Sequence, residues 1–315
     1  MNVEIAEKER FVDIVGDKLL ERIIVDLLPG FLEDMQKRQW RKKKVRDILK
    51  RNLEFILRYR KMMIKRFREM EAEVLGKIKK PKKSIYHGAR GEWVNKAAFD
   101  VDQWLIDRQK WRGTLTKDGK LMTATPLNQA GKEMMDDLGV GTAFDVDDPR
   151  AIEWIATNAK NAAWKITDTI YERLRKELME AVADGESIPK IRERVMQVFE
   201  RITESRAELI ARTEVLKASN RGRWIAMRQS GVVEGKQWEA TGDNRVCPRC
   251  SEMDGRTMAL GKPYFKKGET VTFTGTEDNP APEGGLESTF DYEEIQHPPL
   301  HPDCRCTLLA IVKEV

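Results

Sequence analysis

The sequence predicts a mainly α protein with a small C-terminal β-rich module: long N-terminal helices, a three-helix bundle, then a sheet knotted by Cys and His. Three observations predict it. Apolar residues recur at three-and-four spacing through much of the first 231 positions, the period of an amphipathic helix. Beyond Gly231 the composition turns to Val, Thr, Trp, Phe and Gly in short pieces bounded by turn residues, as strands require. All four cysteines of the 315 residues fall in that last part, as Cys247-x-x-Cys250 and Cys304-x-Cys306.

The first stripe, Val12, Val15, Leu19, Ile23 and Leu27, predicts a helix over 5–28 that Pro29-Gly30 stops. A longer one through Val45, Leu49, Leu53, Ile56, Met63, Phe67, Met70 and Val74 predicts a helix over 42–78, roughly 55 Å long at about 1.5 Å per residue. Its apolar face needs a partner, either the first helix or another subunit, so self-association is expected there. Between 84 and 148 the pattern weakens. His87-Gly88-Ala89-Arg90-Gly91 reads as a loop, Trp93–Trp111 as a helix, Lys117-Asp118-Gly119 as a turn and 126–138 as a short helix ended by Gly139.

Asp148-Pro149 then supplies an N-cap and a first helical residue before the stripe Ile152, Ile155, Ala159, Ala162, Ile166, Ile170, Leu174, Leu178 and Val182. Ser187 caps a second helix with Ile191, Val195, Val198, Phe199 and Ile202 inward. A third, from Thr203, carries Ala207, Ile210, Ala211, Val215, Ala218 and Ile225 and stops at Gly231. Strands are expected at 232–240, 256–260, 270–274 and 307–312, with 276–286 as a surface loop. Four regions follow: a basic helical hairpin or coiled region (1–83), a linker or hinge with short helices (84–148), a helical bundle (149–231) and a β-rich metal module (232–315).

The net charge of +5 conceals an asymmetry. Residues 37–83 hold 20 Lys and Arg against 5 Asp and Glu, or +15, and the remainder holds 37 against 47, or −10. Such a segment expects a polyanion, double-stranded DNA among them, or an acidic protein surface, against the plainer reading of a solvated face. Arg41, Lys42, Lys43, Lys44, Arg46, Lys50 and Arg51 are the candidate polyanion contacts. No apolar run reaches the twenty residues of a membrane span, and Met1-Asn2-Val3-Glu4 does not open a signal peptide, so no membrane contact is expected and a cytoplasm is the expected place of synthesis.

Two thiolates separated by two residues can turn their sulfurs to one point, and a second pair closes a tetrahedron. Cys247, Cys250 and Cys304 are therefore candidate metal ligands, with Cys306 or His301 as the fourth, and the ion expected is a structural Zn2+. Two disulfides or merely buried thiols are the alternatives. Read alone, Arg212, Thr213 and Glu214 are three polar residues in an apolar helix, and Arg212 or Glu214 is expected to tie the bundle to the turn Asp243-Asn244-Arg245.

These residues carry a resemblance. Ile210-Ala211-Arg212-Thr213-Glu214, Trp238, Asp243-Asn244-Arg245-Val246-Cys247-Pro248-Arg249-Cys250, Asp254-Gly255 and Pro298-Pro299-Leu300-His301-Pro302-Asp303-Cys304-Arg305-Cys306 resemble the phage Mu protein F-like minor head proteins, the head morphogenesis family of tailed bacteriophages. The resemblance covers roughly 149–315. It implies a structural protein, made in the host cytoplasm and present in few copies inside the virion head. Portal protein or major capsid protein would be its partners, and DNA packaging or ejection a further association. Other classes are a metal-dependent nuclease or hydrolase using His301, His297, Glu214 or Asp243, and a zinc-ribbon regulator of nucleic acid. Against the first, the sequence holds no H-E-x-x-H, G-x-S-x-G or P-loop. Against the second, the insert between the cysteine pairs is acidic, through Glu277, Asp278, Glu283, Glu287, Asp291, Glu293 and Glu294.

Overall fold

The structure, a computed structural model, describes residues 28–78, 101–291 and 293–313. The helix expected over 5–28 and the loop at His87–Gly91 lie outside them. The chain divides into two compact units after Ile48. In the first, the described residues are helical throughout and belong to α1 (Leu28–Lys77), which runs on into the second. Pro29 sits in its first turn, where a missing N–H removes no helical bond.

In the second unit, α1 from residue 49 packs with α2 (Arg108–Leu138), α3 (Pro149–Ala183) and α4 (Ile188–Ser230). Their common core includes Ile56, Met63, Phe67 and Met70 of α1, Leu115 of α2, Ile170 and Leu174 of α3, and Val195 and Phe199 of α4. The stripe of α1 between Ile56 and Ile78 is thus covered within its own unit. Leu53 departs from the predicted stripe and is 53 % exposed. The inward position is Asn52, whose amide donates to Ser219 Oγ at 3.2 Å. Ile152 also departs from its predicted stripe and is exposed, with Ala151 and Trp154 turned inward instead.

Two predicted breaks are absent. α2 is one helix of 31 residues that passes through Lys117-Asp118-Gly119 and Pro126. Thr114, Thr116 and Thr123 donate their hydroxyls to carbonyls four residues earlier and so stay helical. Asp118 is engaged by Arg66 at 2.7 Å instead of bonding its own backbone as a turn residue would. The helix starts at the Asp107 cap, which accepts from Lys110 N, and stops at left-handed Gly139. Likewise the second and third helices read from sequence are the single 43-residue α4, within which Thr203 donates to the Phe199 carbonyl.

α4 runs through two cores. Ile191–Val215 face the helical one, and Ala218–Met227 face a second with Met134, Met135, Phe144, Trp238, Cys250, Cys304, Cys306 and Leu308. Where α4 crosses α2, the backbones nearly touch: a Cβ on Gly222 would stand 2.0 Å from the Leu127 carbonyl oxygen. Only glycine fits there.

The module beyond Gly231 holds a three-stranded antiparallel sheet ordered β2-β1-β7, from β1 (Val233–Glu239), β2 (Thr257–Ala259) and β7 (Thr307–Val312). Trp238 pairs with Leu308 and Lys236 with Ala310 across β1 and β7. Two further antiparallel pairs are β3 (Thr270–Phe273) with β6 (Leu286–Thr289), and β4 (Gly275–Thr276) with β5 (Asn279–Pro280). The last pair stands where the sequence predicts only a surface loop. A short helix, α5 (Pro248–Met253), follows Cys247. None of the described helices is long and apolar enough to cross a membrane.

The contrast between Gly222 and Gly113 is testable. A Cβ on Gly113 meets nothing within 4 Å. Gly222→Ala should lower the unfolding free energy by about 1–3 kcal/mol or more through overpacking, whereas Gly113→Ala should raise it by about 0.5–1 kcal/mol. Urea denaturation of the two variants measures both.

Candidate metal centre

Two knuckles bring the cysteines together. Cys247 is extended and precedes α5, and Pro248 takes the first helical position, so Cys247 and Cys250 lie at the entry to one turn. In the second knuckle Asp303 adopts φ 65°, a left-handed conformation that Asp tolerates. Cys304 N then reaches back to the His301 carbonyl at 3.3 Å.

The donors converge. His301 Nε2 lies 3.0 Å from Cys247 Sγ and 3.2 Å from Cys250 Sγ, and Cys250 Sγ lies 3.6 Å from Cys304 Sγ. Two sets that could hold a metal ion share Cys250: Cys247, Cys250 and His301, and Cys250, Cys304 and Cys306. A tetrahedral ion with metal–sulfur bonds of about 2.3 Å and metal–nitrogen bonds of about 2.0–2.1 Å holds sulfur and nitrogen roughly 3.5 Å apart. The cluster is therefore of the size required. His301 Nδ1 donates to the Pro302 carbonyl at 2.7 Å, which leaves Nε2 as the ligating nitrogen. All four cysteines are free thiols, which sets aside the disulfide alternative in this structure.

The electrostatics point the same way. A hydrogen bond from Cys250, and after it one from His301, holds Cys247 at about 4. Bonds from Cys250 and Cys306 draw Cys304 down, whereas Cys250 is pushed up by its bonds to Cys247 and Cys304. For Cys306 a bond from Cys250 pulls downward, but the bond to Cys304 and burial outweigh it. Burial opposes charge on His301, yet the Cys247 sulfur and the Cys304 charge raise it to about 9. A buried knot of sulfurs this close cannot carry several negative charges without a cation among them. A divalent ion would supply it.

The knot is clipped to the helices. Asn220, buried in α4, donates to the Cys306 carbonyl at 3.1 Å and accepts from Leu308 N and Thr307 Oγ1, both at 3.0 Å. Arg223, also buried, donates Nε to the Leu308 carbonyl at 3.0 Å. The sequence reading missed both. Their trace was Ser219-Asn220-Arg221-Gly222-Arg223, a polar run interrupting an apolar helix, and burying such groups requires partners.

The residues that carry the resemblance have definite places. Arg212 pairs with Asp303 and Glu208, and Thr213 Oγ1 accepts from Asp303 N at 3.1 Å. The tie from α4 thus goes to the His301–Cys304 knuckle and not to the turn at Asp243-Asn244-Arg245, a correction of the expectation. Asp243 is held instead by Arg305, which donates Nη2 at 2.7 Å and keeps the carboxyl well below its usual range. Glu214 accepts from Asn158 Nδ2 at 2.7 Å. Arg245 N donates to Asp243 Oδ1, and the Arg245 side chain is exposed. Trp238 is fully buried, edge-on to Tyr264. Asp254 accepts from Ala240 N, and Gly255, at φ 79°, makes the turn from α5 into β2. His297 is buried away from both donor sets, its Nδ1 donating to the Pro298 carbonyl at 2.7 Å.

The basic face of α1 in the second unit is largely matched. Arg51 pairs with Glu133, Arg58 with Glu54, Arg60 with Glu204 and Glu208, and Arg66 with Asp118 and Glu69. Lys50 is exposed, and Arg41, Lys42, Lys43, Lys44 and Arg46 lie on the part of α1 that belongs to the first unit.

Residues 172–309 match the family model described as Phage Mu protein F like protein. The matched span takes in the last third of α3, all of α4 and both knuckles, and it bears out the resemblance carried by Arg212-Thr213-Glu214 and the Cys/His motifs. No curated protein and no solved structure matches the chain.

Behind the knot, Lys236 is fully buried on β1 and donates Nζ to the Gln296 carbonyl and Oε1, at 2.8 and 2.7 Å. Burial, with Arg228 and Arg221 adding repulsion, lowers its amine to about 7. Above pH 7 the folded protein therefore favours a neutral amine where the unfolded chain, with an ordinary value of about 10.4, binds a proton. Between pH 7 and about 10 the unfolded state carries more protons, so this group makes stability rise with pH. In urea denaturation, wild type should gain stability over Lys236→Met as pH is raised across that window. A gap that does not change with pH contradicts the assignment.

Proposed function

We propose that this chain is a structural minor head protein of a tailed phage, placed in the virion head at the portal vertex, and that it is not an enzyme. The observation that carries the reading is the family match over the very elements that build the knot. Portal protein or major capsid protein is the partner we assign to the C-terminal half, assembly in the host cytoplasm its setting, and DNA packaging or ejection its wider process. The basic stretch Arg41, Lys42, Lys43, Lys44, Arg46, Lys50 and Arg51 is offered to DNA or an acidic assembly partner, and Glu133 engages Arg51.

The ion we assign to the knot is Zn2+, held by Cys247, Cys250, Cys304 and His301. Thiolate and imidazole donors in a tetrahedral set favour it over Ca2+ or Mg2+, which take oxygen. His301 is preferred over Cys306 because Nε2 already touches two of the sulfurs and its other nitrogen is committed to a carbonyl. When bound, the ion would lock the α5 knuckle to the strand β7 that Asn220 and Arg223 hold on α4. Four protein ligands leave no open position for an activated water, which supports a structural role over hydrolysis.

Purified protein should carry about one zinc per chain by elemental analysis, following from the single four-ligand set. His301→Ala and Cys250→Ser should lose it and fall in melting temperature, whereas Cys306→Ser should keep it. Retention by His301→Ala together with loss by Cys306→Ser would reverse the choice of fourth ligand. Co-expression with the portal and capsid proteins of the same phage tests the role itself. The chain should co-purify with portal rings or assembled heads, and its consistent absence from both contradicts the proposal.

A further inference from the structure

We infer that the groove between α2 and α3 is a binding site for the phosphodiester backbone of duplex DNA, with Lys117, Lys120 and Lys160 as the phosphate contacts. This surface lies outside the family match and outside the basic stretch of α1. It is an open groove of about 690 Å3, lined among others by Arg112, Thr116, Lys117 and Lys120 of α2 and by Lys160 and Trp164 of α3.

Charge sets this groove apart from the basic face of α1. There, most cations of the second unit have carboxylate partners. Here Arg112 pairs with Asp168, and Lys117, Lys120 and Lys160 have no carboxylate partner among the described residues. All three lysines are exposed. The aromatic in the groove, Trp164, is 44 % exposed, with the Arg112 guanidinium 4.4 Å and the Lys160 ammonium 5.2 Å from its ring centre. A ring covered by cations is not offered to a base for stacking. It is a platform that holds positive charge at the groove, and Trp164 is a positioning residue.

The spacing fits a polyanion with regularly placed charges. Arg112, Thr116, Lys117 and Lys120 lie on the side of α2 that lines the groove, and the eight steps from Arg112 to Lys120 rise about 12 Å at 1.5 Å per residue. A DNA strand presents one phosphate per roughly 3.4 Å of axis, so this length passes about three. Lysines on phosphates position a duplex without reading its sequence. An acidic protein would call for an apolar anchor beside the charges, and the one large apolar side chain here is already engaged by Arg112 and Lys160.

The ligand's identity rests on the head-protein reading; the groove itself does not. The full-length chain is titrated against a short labelled duplex of arbitrary sequence at several salt concentrations. Lys117→Gln/Lys120→Gln/Lys160→Gln should bind about tenfold or more weakly at low salt, with a log–log salt slope shallower by about 2–3. Its melting temperature should not change, since all three side chains are exposed. Trp164→Ala should weaken binding a fewfold, and Trp164→Phe should restore part of it. The inference is overturned if wild type does not bind the duplex, or if the triple variant binds as wild type does while Lys42→Gln/Lys43→Gln/Lys44→Gln loses affinity. It is also overturned if polyglutamate competes as well as DNA at equal charge. Incorporation into heads is scored separately: a chain that enters heads but fails to bind DNA overturns this inference alone, and one that binds DNA but never enters heads overturns the function alone.

Discussion

Asn220 reads the backbone of β7 from inside a helix. Its amide takes the Cys306 carbonyl while its oxygen takes Leu308 N and Thr307 Oγ1, so one buried side chain satisfies groups that a fourth strand or water would otherwise have to meet. Arg223, three residues on, repeats the contact one step along the strand. The sheet therefore hangs on α4, and α4 cannot shift without tearing these bonds. Gly222 lies between the two clamps, and its missing side chain lets α2 close on the other side. Helix crossing and sheet attachment are thus set within four consecutive residues.

The sulfur knot depends on that attachment. Cys304 and Cys306 lie just before the start of β7, so the strand that Asn220 positions also delivers half of the thiols. The other half comes from the α5 knuckle, which the module holds by its own polar contacts. Glu252 accepts from Thr274 N and Gly275 N, and Asn279 Nδ2 donates to the Val246 carbonyl. The module buries its own apolar cluster, with Trp238, Phe273 and Leu308 fully buried. Cross-linking by an ion would add to that, because binding energy at such a site is folding energy. The left-handed Asp303 fits this account. Its conformation is held by Thr213 and Arg212 of α4, so the knuckle that presents His301 is shaped by the helix before any ion arrives.

What could be read from the sequence follows from how local each cause is. Helical stripes, the caps at Asp148 and Gly231 and the strand at 307–312 were legible because spacing and cap chemistry are nearest-neighbour matters. The cysteine pairs were legible because ligand spacing is written in the chain. The breaks predicted at Lys117-Asp118-Gly119 and at Thr203 are absent, because Arg66, far away in sequence, engages Asp118, and because the Thr203 hydroxyl takes the Phe199 carbonyl one turn earlier. Asn52 and Leu53 exchanged roles because an inward hydrogen bond to Ser219 outweighed one leucine. The tie from Arg212 was expected, but its end was misplaced. Asp243 and Asp303 are equally plausible anions on paper, and only the fold shows that Arg305 has already claimed the first.

Charge illustrates the same limit more sharply. Counted along the chain, residues 37–83 are the outstanding cationic feature, and a polyanion is the natural thought. Folded, much of that charge within the second unit meets carboxylates contributed by α2 and α4, and pairs of that kind cancel long-range field. Between α2 and α3 the reverse occurs. Neither helix looks unusual in composition, yet the periodicity of each places Lys117, Lys120 and Lys160 on the faces that border one groove. A one-dimensional charge count measures what a segment carries, whereas attraction for a ligand depends on what remains after the fold has paired it. The cations that survive pairing beside Trp164 are therefore better placed to act on a phosphate than the more conspicuous run in α1 from Arg51 to Arg66.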